Sequence, residues 1–222
     1  VFGPEDLSQD VERLFPSCVL EDKGKYYLFF DSGYDYHHPQ YPRQYTINVA
    51  ISEDAIHFRE LASNIVVPGP DGSWESQSVC QSAVRKIGDW WYMIYSGFPK
   101  SPSAKQQMKD EQKFGLARAR KPEGPWEKYP GNPIFAGTGN RGDWDGNFVQ
   151  HACPVEIDGI WCLYYVGNNG DENLHPADRY QQGLAIPKNS KPEATEKEQM
   201  RDATFSSGSE TGEDDIDEVL YG

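Results

Sequence analysis

Apolar residues in this chain fall in short continuous runs, each closed by glycine, proline or an acidic turn residue. Tyr26-Tyr27-Leu28-Phe29-Phe30, Trp91-Tyr92-Met93-Ile94-Tyr95 and Trp161-Cys162-Leu163-Tyr164-Tyr165 show no helical stripe. Aromatic and aliphatic runs this short, bounded by turn residues, read as buried strands. Each is preceded by another apolar run and a tight turn, at Asp22-Lys23-Gly24, Ile87-Gly88-Asp89 and Asp158-Gly159. A Gly or Asp turn between two such runs predicts a β-hairpin.

The hairpins belong to a repeat. Residues 72–97 align with residues 142–167 at an offset of 70 without a gap, with identical pairs at Gly72/Gly142, Trp74/Trp144, Val79/Val149, Ile87/Ile157, Trp91/Trp161, Tyr95/Tyr165 and Gly97/Gly167. An earlier copy at 15–32 fits at an offset of 65. After a variable loop, each copy carries a third strand, at 47–52, 114–120 and 182–186. A fourth follows in two copies, at 56–61 and 124–129. Four strands per unit at a fixed period predict an all-β chain of β-propeller blades. A βα unit would need an amphipathic stretch between strands; only residues 104–113 offer one, and they read as a polar loop. Residues 1–186 hold about three blades, whereas closed propellers need about four to eight. Three blades leave open sheet edges, so the expectation is a partial propeller, completed by further blades or by another chain.

Composition changes the picture at one end. From residue 187 to residue 222 ten acids face four bases, and the aromatics fall to Phe205 and Tyr221. Such a segment cannot bury enough apolar surface to offset its ordering entropy. Residues 187–222 are therefore expected to form a disordered acidic tail behind a folded domain at 1–186. The 222 residues carry a net charge of −14, which argues against a nucleic-acid partner because nothing supplies a basic face. No apolar run approaches the roughly 20 residues of a membrane helix, so a soluble chain without a membrane partner is expected. The chain opens at Val1 with no leader segment, which reads as a processed or partial product. Cys18, Cys80, Cys153 and Cys162 lack metal-ligand spacing and read as buried thiols; no metal and no cofactor is expected. GxSxG, P-loop, GxGxxG and HExxH motifs are absent.

The repeat resembles the five-bladed β-propeller glycoside hydrolases, the group of families 32, 43, 68, 117 and 130. Ser52–Phe58 is similar to the group's Ser-x-Asp-Gly-x-x-Trp hairpin, with Ala55 for the usual Gly and Phe58 for the usual Trp. Lys121–Phe135 is similar to its Gly-Pro-Trp strand followed by Asn-Pro, and Asp71–Ser76 and Gly142–Asn147 to its Trp-acid lead-in to a new blade. The resemblance implies a funnel at the propeller axis, several carboxylates from different blades, and hydrolysis of glycosidic bonds in furanosides, arabinan, xylan, fructans, agar-derived sugars or mannosides. A carbohydrate is the implied partner, and a secreted or periplasmic setting is the leaning. Families 32 and 43 often carry Asp-Pro on the innermost strand; here those places read Phe15-Pro16, Gln81-Ser82 and His151-Ala152.

Aligning the copies puts Asp10, Glu75 and Asp145 at one position. Carboxylates repeated around an axis suit glycoside hydrolysis, where one protonates the leaving oxygen and another activates water or attacks carbon. Glu75 is the candidate acid, with Asp145 or Asp10 as base or nucleophile. The competing reading is architectural, since an acid after Trp can cap a repeated turn. Gln81 and His151 share an axial position and are candidate hydroxyl ligands, as are Trp74, Trp144, Asp31 and Asn168. The loop at 31–45 adds Tyr34, Tyr36 and His37 as a candidate aromatic platform. An alternative function is a catalytically inactive propeller piece that binds carbohydrate or protein.

Overall fold

The computed structural model describes residues 2–34, 38–40, 44–100, 112–140, 142–171, 173–175 and 179–187, together with a short strand at Phe205–Ser207. Its strands are β1 (Arg13–Asp22), β2 (Lys25–Gly33), β3 (Tyr45–Ser52), β4 (Arg59–Val66), β5 (Ser78–Ile87), β6 (Trp90–Phe98), β7 (Lys113–Ala119), β8 (Glu127–Lys128), β9 (Phe148–Ile157), β10 (Ile160–Asn168), β11 (Tyr180–Pro187) and β12 (Phe205–Ser207). They form three four-stranded antiparallel sheets, each a meander in chain order: β1 to β4, β5 to β8 and β9 to β12. β1 adjoins β5, and β5 adjoins β9, so the first strand of every sheet lies on the inside of the stack. These are three consecutive propeller blades.

The hairpins form where the turn residues place them. Lys23 and Gly24 take φ of 54° and 75°, and Asp158 and Gly159 take 51° and 79°. Two successive left-handed residues make the turn whose twist matches paired strands. The fourth strands differ from expectation. β4 starts at Arg59 rather than Ile56 because Asp54 holds the preceding turn: its Oδ1 accepts from the main-chain N–H of Ile56 (2.9 Å) and His57 (2.8 Å). β8 shrinks to Glu127–Lys128. The third sheet gains a fourth strand that the sequence did not announce: Phe205–Ser207 pairs with Ala185–Pro187. Those three residues come from the stretch expected to lack order; the rest of 188–222 lies outside the described residues, as does most of the 104–113 loop.

Alternation on β6 explains how the blades adhere. Trp91, Met93 and Tyr95 enter one cluster with Phe29, Ile47, Val49 and Val84, between the first and second sheets. Tyr92 and Ile94 point the other way, into a cluster with Phe114, Phe135, Trp161, Leu163 and Tyr165, between the second and third. The middle blade is thus apolar on both faces, which is why its strand is a continuous hydrophobic run.

Ala55 takes φ 62° in the Asp54 turn, where the related hairpin has glycine. A left-handed L-residue costs about 1–2 kcal/mol, partly offset by the unfolded-state entropy of glycine. Ala55→Gly should therefore raise stability by about 0.5–1 kcal/mol, read as a higher urea midpoint at unchanged slope.

Candidate active site

The site begins with an irregularity common to all three inner strands. Pairing of β1 with β2 slips between Pro16 and Cys18, that of β5 with β6 between Cys80 and Ala83, and that of β9 with β10 at the step from Tyr164 to Val166. A bulge re-aims side chains and ends regular pairing. Here it turns Ser17, Gln81 and His151 toward a common cleft of about 580 Å³. Gln81 and His151 occupy equivalent places and take φ of 53° and 56°. Pro16 stands at that place in the first copy, and its ring forbids a positive φ, so the first bulge inserts only Ser17.

The cleft is walled by Phe15, Tyr45 and Phe98, with Phe15 and Tyr45 edge-to-face at 5.8 Å. Gln112, Arg85 and the thiols of Cys18, Cys80 and Cys153 complete much of the lining. Among the described residues, Asp31 is the carboxylate that lines it. Asp31 sits on β2 opposite Phe15 and is 5% exposed. Ser17 Oγ donates to its Oδ1 at 2.7 Å, and the Gln81 main-chain N–H donates to the same oxygen at 3.1 Å. Burial pushes the Asp31 carboxyl up to about 6, with the Ser17 hydroxyl and the main-chain N–H groups of Gln81 and of Asp31 itself pulling the other way. Burial also holds His151 below the ordinary imidazole value. Arg85 spans two blades, donating from Nη1 to the Val84 carbonyl (2.9 Å) and from Nη2 to that of Pro154 (3.0 Å).

The structure puts the repeated acids elsewhere, and none of the three lines the cleft. Glu75 is buried; its Oε1 accepts from Lys128 Nζ at 2.7 Å, against the Tyr95 ring that stacks on Trp74. Asp145 is fully buried; its Oδ2 accepts from the Tyr165 hydroxyl at 2.8 Å and its Oδ1 from the Thr138 N–H at 3.2 Å. Both acids fasten a lead-in loop to its own blade, Asp145 to the second strand through Tyr165 and Glu75 to β8 through Lys128. Asp10 is exposed, and its carbonyl accepts from the Tyr34 hydroxyl at 2.7 Å.

The candidate ligands divide in the same way. Asp31, Gln81 and His151 meet at the cleft. Trp74 and Trp144 do not: they stack on Tyr95 and Tyr165 and fill the space left by Gly97 and Gly167, where a Cβ would lie 2.7 Å and 2.6 Å from their rings. Asn168 is buried outside the cleft, accepting from the Gly170 N–H at 2.8 Å. Tyr34 packs on His38, while Tyr36 and His37 lie outside the described residues. Tyr45, at the end of the aromatic loop at 31–45, joins the site, and Ser17, Phe98, Arg85 and Gln112 join it without having been candidate ligands for it. The bulges bring them together, and no local pattern marks a bulge.

Comparison with known proteins agrees with this architecture. The sequence pattern described as glycosyl hydrolases family 43 matches residues 6–183. No curated protein matches by sequence. Among solved structures, a family 117 glycoside hydrolase from the marine bacterium Zobellia galactanivorans is similar at 20% identity and TM-score 0.65, over 87% of this chain and 54% of that one. A Bombyx mori GH32 β-fructofuranosidase is similar at 20% identity and TM-score 0.59, over 91% of this chain and 38% of that one. An endo-arabinase from Bacteroides thetaiotaomicron is similar at 14% identity and TM-score 0.50, over 81% and 51%. These likenesses show the fold, and the chain spans about half the length of the first of these structures or less.

Proposed function

Since the chain belongs to glycosyl hydrolase family 43, we propose that it hydrolyses a glycosidic bond in an oligo- or polysaccharide at the cleft where its three inner strands meet. The observation that carries this reading is Asp31, a buried carboxylate facing an aromatic-walled cleft with one oxygen anchored by Ser17 and Gln81. A base is most useful when its pKa lies near the working pH. With its carboxyl raised to about 6, Asp31 is mostly ionised at neutrality yet basic enough to take a proton from water. In this reading the Asp31 carboxylate accepts that proton as water attacks the anomeric carbon. Cleavage also needs an acid other than Asp31 to protonate the leaving oxygen, and the described cleft residues hold no second carboxylate for that role. Phe15 and Tyr45 offer faces for a sugar ring, and Gln112 and His151 offer polar groups for its hydroxyls. Glu75 and Asp145 have structural roles in this reading.

The test is hydrolysis by the 222-residue chain of a panel of 4-nitrophenyl furanosides and pyranosides and of arabinan and xylan oligosaccharides. Asp31→Asn should lower kcat by about 10²–10⁴-fold, the usual worth of general acid–base catalysis. The parent kcat/KM should fall on acidification with a limb near 6, because protonation removes the base. Wild-type turnover in Asp31→Asn sinks the proposal.

One observation favours a second reading, carbohydrate binding without turnover: the described cleft holds a single carboxylate. Saturable binding of a test oligosaccharide by a chain that hydrolyses none of the panel would select it.

A further inference from the structure

Gln81 is the residue through which the three blades touch at the cleft. Its main-chain N–H reaches Asp31 of the first blade, and its side chain reaches Ser96 and Gln112 of the second and His151 of the third. The orientation of its amide follows from a donor that cannot be reversed. The main-chain N–H of His151 lies 3.4 Å from one terminal atom of the Gln81 side chain. A main-chain N–H only donates, so that atom is Oε1. The same oxygen accepts from Ser96 Oγ at 3.0 Å and Gln112 Nε2 at 2.9 Å.

The other terminal atom is then the amide nitrogen, which lies 3.4 Å from His151 Nε2. An amide NH₂ can only donate, so His151 Nε2 has to accept. In a neutral imidazole one nitrogen accepts and the other carries the proton. We infer that Gln81 is a positioning residue that holds His151 as its neutral Nδ1-protonated tautomer and ties that ring to Asp31. The consequence for substrate, which rests on the glycosidase reading, is that His151 meets a sugar as a hydrogen-bond donor through Nδ1.

Three further observations agree. An imidazolium would set a second N–H against the Gln81 amide. The charged groups facing this part of the cleft are Asp31, already bonded by the Gln81 N–H, and Arg85, whose positive charge opposes a second cation. Gln81 and His151 both hold left-handed φ, a conformation that persists only where surrounding contacts over-determine it and that gathers at functional sites.

The experiment is long-range ¹H–¹⁵N NMR of the 222-residue chain labelled at histidine, titrated over pH. Wild type should show His151 protonated at Nδ1 with a midpoint below the ordinary imidazole value of about 6.5. Gln81→Glu replaces the donor with an acceptor, so the proton should move to Nε2 and the midpoint should rise by about one pH unit or more. Gln81→Gly keeps the N–H for Asp31 and suits the positive φ, so it should fold while His151 reverts to a mixture of tautomers. A wild-type His151 protonated at Nε2, or a spectrum and midpoint unchanged in both variants, would overturn the inference. Where the chain turns over a glycoside, Gln81→Gly should lower kcat/KM by about tenfold and retain the acid limb set by Asp31. A locked tautomer in a chain without glycosidase activity would refute the functional reading and leave this inference standing. Turnover with no lock would do the reverse.

Discussion

Asp31→Asn should melt later than the parent protein at pH 7, even as it loses turnover. The carboxyl is raised to about 6 in the folded chain, against about 3.9 when unfolded. Between these values the native state holds a proton that the unfolded state has released. Stability therefore falls as pH rises from about 4 to about 6 and stays at the lower level above that. Asparagine removes the charge whose burial causes this. Its carbonyl oxygen still accepts from the Ser17 hydroxyl and the Gln81 N–H, so no donor is orphaned. The gain at pH 7 should be on the order of 3 kcal/mol, or a rise in Tm of about 5–10 °C for a chain of this size. It should vanish near pH 4, where both forms are neutral. Differential scanning calorimetry at pH 4 and pH 7 checks the sign and the window. A variant less stable than the parent at pH 7 would show that the ionised carboxylate is a net stabiliser of the fold.

Glu75→Ala and Asp145→Ala should have the opposite profile, with large losses of stability and none of chemistry. Asp145 is fully buried, and its removal takes an acceptor away from the Tyr165 hydroxyl and from the Thr138 N–H. Losing a buried charge-assisted hydrogen bond costs about 1.5–3 kcal/mol, and the cavity adds to it. Glu75→Ala leaves the Lys128 ammonium beside the Tyr95 ring without its carboxylate. Breaking a buried pair costs about 3–5 kcal/mol. Lys128 keeps partial access to water, its side chain being 29% exposed, so a loss of about 2–3 kcal/mol is expected. Urea denaturation gives the loss, and kcat measured on the folded fraction gives the chemistry. If kcat falls as far as in Asp31→Asn while the fold persists, these acids act in catalysis and the cleft has been misplaced.

The contrast between these acids explains how the candidate site hides in the sequence. Glu75 and Asp145 stand out because they repeat, and both hold a lead-in loop, Asp145 on the Tyr165 hydroxyl and Glu75 on Lys128. Asp31 does not repeat: at the matching register the second copy has Ser96 and the third Val166. A propeller axis is assembled from positions equivalent in backbone, and chemistry there requires unlike side chains. The departure from the repeat therefore marks the cleft, while agreement marks the scaffold. Trp74 and Trp144 teach the same lesson, since their identity across copies reflects a glycine opposite each ring.

The blade repeat and the hairpin positions were legible in the chain because they depend on short-range properties. Apolar runs of strand length, left-handed turn residues and the two-sided run at Trp91–Tyr95 each carry their own cause. Tertiary structure decided the rest. The inner-strand bulges that turn Ser17, Gln81 and His151 into one cleft leave no periodicity to read, because an inserted residue satisfies no local preference. The pairing of Phe205–Ser207 with β11 is set by an edge that needed hydrogen-bond partners, not by the composition of the tail. Which carboxylate is buried against a tyrosine and which faces the cleft follows from three sheets packing at a common axis, a relation between residues that are 50 or 70 positions apart.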